Sequence, residues 1–247
     1  MSSSLTETEP RVRFVPFTDL WESFDDRLVE LVDASGATEV GELGGGANPT
    51  VELTRRAVRP VELTVIDISD DELAKAPPGV QRFRADLCAE QPPAKERFDL
   101  VFSRMLCEHV PSAARFHRNC RAMLRAGGHA MHFFPTVTAL PFVVNRVLPE
   151  AVGERVVEAI LPSRRRGGRH SKFPAYYRWC WGPTAQQLAR YRSVGFDVVS
   201  YDAGVGHGYY ARVPVLRDLE RAKSRWLLEH PSPWFSAYAL VLLRARP

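Results

Sequence analysis

Apolar residues Leu20, Phe24, Leu28 and Leu31 recur at helical spacing, which predicts a helix over residues 17–34 that stops at Gly36. Beyond it the period changes. "EVGEL" (39–43) is short and apolar, and "VELTVID" (61–67) is rich in β-branched residues. "FDLVFS" (98–103) and "GGHAMHFF" (127–134) also read as strands. Helical patterns over 50–58, 72–76 and 111–124 separate these runs, so strands alternate with helices. That alternation predicts a parallel sheet with helices on both faces. Later, "TAQQLARYRSVGF" predicts a helix capped by Thr184 and closed at Gly195, followed by the strand "FDVVSYD". A helix over 215–229 and a last strand over 236–245 complete the pattern.

One stretch breaks the alternation. Pro141, Pro149, Pro162 and Pro174 punctuate residues 136–182, "SRRRGGRH" (163–170) is charged, and "KFPAYYRWCW" is aromatic. It reads as a lid inserted after the fifth strand. The expected organisation is one domain: an N-terminal tail and helix (1–36), a core (37–135), the insertion (136–182) and the rest of the sheet (183–247). Cys88, Cys107, Cys120 and Cys180 lack CxxC spacing, which argues against a structural zinc site, and with no leader ahead of them disulfides are not expected either. "MSSSLTETEP" reads as a polar, disordered start, and no apolar run is long enough for a bilayer, so a cytoplasmic protein is expected. The net charge of +4 is mixed along the chain and permits an acidic partner without demanding one.

The chemistry begins at "VGELGGGANPT" (40–50), a glycine turn between the first predicted core strand and a helix. Glycines there let backbone N–H groups approach a polar ligand. A dinucleotide fingerprint would need glycine at position 49, where the chain has Pro49. Glu42 at the strand end disfavours a pyrophosphate and suits a cationic amino group, so the pattern favours an amino-acid-bearing nucleoside.

Here the sequence resembles the class I S-adenosylmethionine-dependent methyltransferases, over about residues 38–135. "GELGGGAN" is similar to their acidic-x-Gly-x-Gly motif, with Asn48 where many members have a third glycine. Asp67 and Ile68 in "LTVIDIS" stand where the family binds ribose, and Asp86 with Leu87 in "FRADL" where it meets adenine. "FDLVFSRMLCEHV" and "RAMLRAGGHAMHFFP" resemble the later motifs. The resemblance implies a Rossmann-like α/β fold with a mostly parallel seven-stranded sheet, and S-adenosylmethionine held by Glu42, Gly44, Gly45, Gly46, Asn48, Asp67, Ile68, Asp86, Leu87 and Ser103.

Methyl transfer to an alcohol calls for a general base, because the hydroxyl proton leaves during attack. The candidates are His109, His132, His170 and His207. Glu108 beside His109 raises the option of a divalent cation such as magnesium, without a cluster that would strengthen it. Arg104, Tyr176, Tyr177 and Tyr209 are candidate substrate contacts. Tyr176, Tyr177, Trp179 and Trp181 offer flat faces suited to sugar rings, and Arg164, Arg165, Arg166 and Arg169 suit an anionic acceptor. The second half also resembles, more loosely, methyltransferases of bacterial polysaccharide and glycolipid biosynthesis. The expected reaction is O-methylation of a sugar, oligosaccharide or glycolipid hydroxyl. The alternatives are a quinone, polyketide or lipid acceptor, an RNA, or a cofactor-binding scaffold without turnover. No appended RNA-binding module supports a nucleic-acid partner.

Overall fold

The computed structural model describes residues 9–138, 174–208, 210 and 213–247. Alternation along the apolar runs decides which layer each side chain enters. In the strand Phe98–Arg104, Leu100 and Phe102 join one buried cluster while Phe98 and Val101 join the other. A strand buried on both faces needs helices on both, and the chain supplies them.

In order, the described elements are β1 (Arg11–Pro16), α1 (Phe17–Glu22), α2 (Phe24–Ser35), β2 (Glu39–Leu43), α3 (Glu52–Arg56), β3 (Glu62–Asp67), α4 (Asp70–Ala74) and β4 (Gln81–Arg84). There follow β5 (Phe98–Arg104), a 3₁₀ turn (Cys107–His109), α5 (Ala113–Met123), β6 (Leu124–Pro135), α6 (Ala185–Ser193), β7 (Phe196–Val205), α7 (Pro214–Glu229) and β8 (Tyr238–Ala245). The sheet has eight strands in the order β1-β7-β8-β6-β5-β2-β3-β4. Among the described strands only β8 runs antiparallel to its neighbours, so β2 to β7 all end at one edge of the sheet. Strand order reverses between β5 and β2, and in such sheets ligands bind at the C-terminal edge by that point.

Two expectations change. The sheet gains an eighth strand, because "RVRFVP" pairs in parallel with β7 from Arg11↔Ser200 to Pro16↔Val205. The helix predicted over 17–34 is two helices broken at Ser23, whose Oγ and amide both turn back to the Asp19 carbonyl. The apolar stripe crosses this break unbroken, with Leu20, Phe24, Leu28 and Val32 all buried on one face of the sheet. Most other predicted elements fall where the periodicity put them. Thr184 caps α6 by accepting from the Gln187 amide, and Gly195 takes φ +91° just past its end. Residues 139–173, which hold most of the expected insertion, lie outside the described residues, with His170 and the arginines 164–166 and 169; so does Tyr209.

Candidate active site

The turn after β2 is built from contacts that exclude side chains. Gly44 has φ +72° and Gly46 φ +45°, both in the left-handed region, and a Cβ on Gly44 would lie 2.7 Å from a Leu106 methyl. The Gly44 amide donates to the Ile66 carbonyl at 2.7 Å, which locks the turn onto β3. A Cβ on Gly46 would stand 3.2 Å from Asp67 Oδ2, so turn and strand end are neighbours. Asp67 Oδ1 accepts from the Ser69 amide at 2.9 Å, and Ile68 beside it is exposed. Two residues past the end of β4, exposed Asp86 accepts from the Cys88 amide at 2.7 Å. Leu87 is buried, and its carbonyl takes a hydrogen bond from Asn119 Nδ2 at 3.0 Å. Asn48 is exposed, and its amide donates to the Gly45 carbonyl at 3.0 Å. Gly44–Gly46, Asp67 and Asp86 therefore lie at or just past the C-terminal ends of three adjacent strands, where bare backbone and two carboxylates lie along one edge of the sheet.

Glu42, expected at the cofactor, is buried at the end of β2. Its carboxyl turns into the loop, where one oxygen accepts from the Thr50 amide at 2.7 Å and the other from the Thr50 hydroxyl at 2.9 Å. Burial raises it to about 7 against the downward pull of those two bonds. In these contacts it braces the turn.

The second half of the site follows β5. Glu108 and His109 sit in the 3₁₀ turn, and the chain returning at residue 174 is fastened to both. His109 Nδ1 lies 3.0 Å from the Pro174 carbonyl, and the Tyr176 and Tyr177 amides donate to the Glu108 carbonyl at 2.7 and 3.1 Å. His109 is one-third exposed. The Glu108 carboxyl is buried, with Oε1 at 3.8 Å from His109 Nε2, and burial lifts it to about 8. Arg104, at the end of β5, reaches Asp25 at 3.3 Å and lies over the Phe24 ring at 5.1 Å, which brings the start of α2 to the same edge.

The side chains of three other sequence candidates are buried. His132 is fully buried between Phe116 and His117, its ring pushed down to about 3 by burial. Ser103, expected at the cofactor, instead places its Oγ 2.8 Å from His132 Nδ1, inside the core. The His207 side chain is likewise buried, 3.5 Å from Glu220 of α7, and burial lowers it. Among the aromatics, Tyr177 and Trp179 pack on the core, Trp179 stacking on His117 at 5.9 Å, while Tyr176 stays exposed. Leu106, Thr50 and Pro174 were missed, since each acts through contacts that no local pattern announces. Among the described residues no group of three or more His, Cys, Asp or Glu side chains is placed to hold a metal ion, and no helix is long and apolar enough to cross a membrane. A cavity of about 460 Å³ between Val61 and Gln81 lies at the start of β3 and β4, the opposite edge from this site.

Residues 41–132 match the family model described as a methyltransferase domain. The fold is shared with an S-adenosylmethionine-dependent methyltransferase from Mesorhizobium loti, at 18% identity and TM-score 0.52, covering 88% of this chain and 96% of that one. It is shared too with the [4+2]-cyclase SpnF, at 17% identity and TM-score 0.51, covering 90% and 81%. Phosphoethanolamine N-methyltransferase 2 of Haemonchus contortus, in complex with S-adenosyl-L-methionine, has 14% identity and TM-score 0.52, covering 90% of this chain and 52% of that one. No curated protein matches the chain. The domain match over residues 41–132 and the shared fold support a class I S-adenosylmethionine-dependent methyltransferase, an enzyme with S-adenosylmethionine as its cofactor.

Proposed function

We propose that this methyltransferase acts on a hydroxyl of a sugar, oligosaccharide or glycolipid acceptor, with His109 as the general base. One observation carries the choice of base: the 3.0 Å contact between His109 Nδ1 and the Pro174 carbonyl. A carbonyl only accepts, so Nδ1 keeps the proton, and the neutral ring carries its lone pair on Nε2. Burial withdraws His132 and His207, whereas His109 stands partly exposed at the C-terminal edge of the sheet.

The Gly44–Gly46 backbone and Asn48 line the turn beside the nucleoside, with Asp67 and Ile68 at the ribose and Asp86 and Leu87 at the adenine. When bound, the cofactor supplies an electrophilic methyl carbon on a sulfonium. The chain's own work is then to align the acceptor oxygen in line with that carbon and to take its proton. As the oxygen attacks, its proton passes to His109 Nε2. Burial raises the Glu108 carboxyl alongside to about 8. Trp21 and Tyr176 are 47% and 42% exposed, and Arg104 lies beside Trp21 at 6.0 Å from its ring. Flat faces with a guanidinium donor suit the C–H face and hydroxyl rim of a sugar.

The test is transfer of a labelled methyl group from S-adenosylmethionine into fractionated extract. Label in hydrolysable sugar supports the reading, and label confined to lipid, RNA, protein or non-sugar small molecules overturns the acceptor while leaving the methyltransferase.

A further inference from the structure

A second cavity, of about 410 Å³, lies on the α2 face of the sheet between β1, β7 and β8. It is about four strand spacings, roughly 19 Å, from β2 and its glycine turn. The floor is apolar, made by Leu31, Met131, Leu240 and Leu242. The rim is basic. Parallel pairing sets Arg11 opposite Ser200 and Arg13 opposite Asp202, and Arg27 reaches over from α2.

Two of the three arginines, Arg13 and Arg27, are held in place. Asp202, only 2% exposed, accepts from Arg13 Nε at 2.7 Å and Nη2 at 2.5 Å, and its Oδ2 also takes Arg27 Nη1. Each guanidinium has five N–H donors, so one carboxylate leaves most of them unspent. Three guanidinium groups against Asp202 and Glu30 leave positive charge in excess over an apolar floor. A cavity of this size falls within the range of small-molecule sites, and the donors of Arg13 and Arg27, already held by Asp202, lose little freedom on binding.

We propose that this cavity binds a small amphiphile with a single oxyanion headgroup, carboxylate or phosphate monoester, on a short hydrocarbon chain. The headgroup sits among Arg11, Arg13 and Arg27, and the chain lies on Met131, Leu240 and Leu242. The site is separate from the transfer edge and does not depend on which acceptor is methylated.

The experiment is calorimetric titration of the full chain with octanoate and with octyl phosphate, using octanol and inorganic phosphate as the tail and headgroup alone. One saturable site is expected for at least one anion, at least roughly tenfold tighter than either control, as loss of a charged hydrogen bond implies. The tighter of the two anions identifies the headgroup. Binding persists in saturating S-adenosylhomocysteine, and Arg11→Glu weakens it at least roughly tenfold while S-adenosylhomocysteine affinity stays unchanged. Arg11 is exposed on the edge strand, so this variant tests the rim without disturbing the core. Absence of saturable binding, equal binding of octanol, displacement by S-adenosylhomocysteine, or indifference to Arg11→Glu would each overturn the proposal.

Discussion

At the scale of single residues, the roles proposed for His109 and Asp67 separate cleanly in the measurements they affect. His109→Ala is expected to lower turnover by roughly two to four orders of magnitude, the range for a lost general base, with S-adenosylhomocysteine affinity near wild type. Full activity in that variant would move the base outside the described residues, to His170. Asp67→Ala should instead weaken cofactor binding roughly 10- to 150-fold, as expected when hydrogen bonds to a charged group are lost. Unchanged affinity by titration calorimetry would remove Asp67 from the cofactor site. Glu108 makes a prediction about stability. Its folded value of about 8 stands above the ordinary 4.5, so the folded state binds more protons in between. Its contribution is therefore complete at acid pH and is lost as pH rises towards 8 and beyond. Melting temperature between about pH 6 and 9 should fall less in Glu108→Gln than in wild type, and parallel curves would show that the buried carboxyl is already ionised.

Among the elements, those legible in the sequence were those whose signal is local. The β2–β3 pair and the turn after Leu43 follow from short β-branched runs and from glycines that only a bare backbone accommodates. The fate of His132 was not legible. The last six residues of β6 are buried on both faces, so alternation cannot say whether a side chain meets a ligand or the core. Trp179 misled for a related reason: its backbone takes φ +60°, and the ring turns onto His117 and away from solvent. The glycine turn makes its own prediction. Gly44→Ala meets both a left-handed φ and the Leu106 side chain, and should cost about 2–4 kcal/mol in chemical denaturation. Adding Leu106→Ala removes the steric part and leaves the backbone part, so the two changes together should cost less than their sum. Strict additivity would mean that Leu106 does not press on the turn.

For the whole molecule, the eighth strand shows what periodicity cannot supply. "RVRFVP" has no partner nearby in the chain, and the contact that decides its place, Arg13 with Asp202, spans 189 residues. Through Asp202 the same carboxylate ties β1 to β7 and, by Arg27, α2 to the sheet. Burial alone would raise this carboxyl, but the bonds from Arg13 and Arg27 win and hold it below the ordinary range. Asp202→Asn leaves two part-exposed arginines beside a neutral amide, and loss of a hydrogen bond to a charged group typically costs about 1.5–3 kcal/mol. The sign with pH follows from the depressed value. The stabilisation is present above the unfolded value of 3.8 and is lost as pH falls through the lower folded one. The deficit of Asp202→Asn should therefore be largest near neutral pH and shrink in acid, where protonation strips the same ion pairs from wild type. Denaturation curves at several pH values decide it: a small deficit that stays constant with pH would mean that β1 and α2 are held by packing alone.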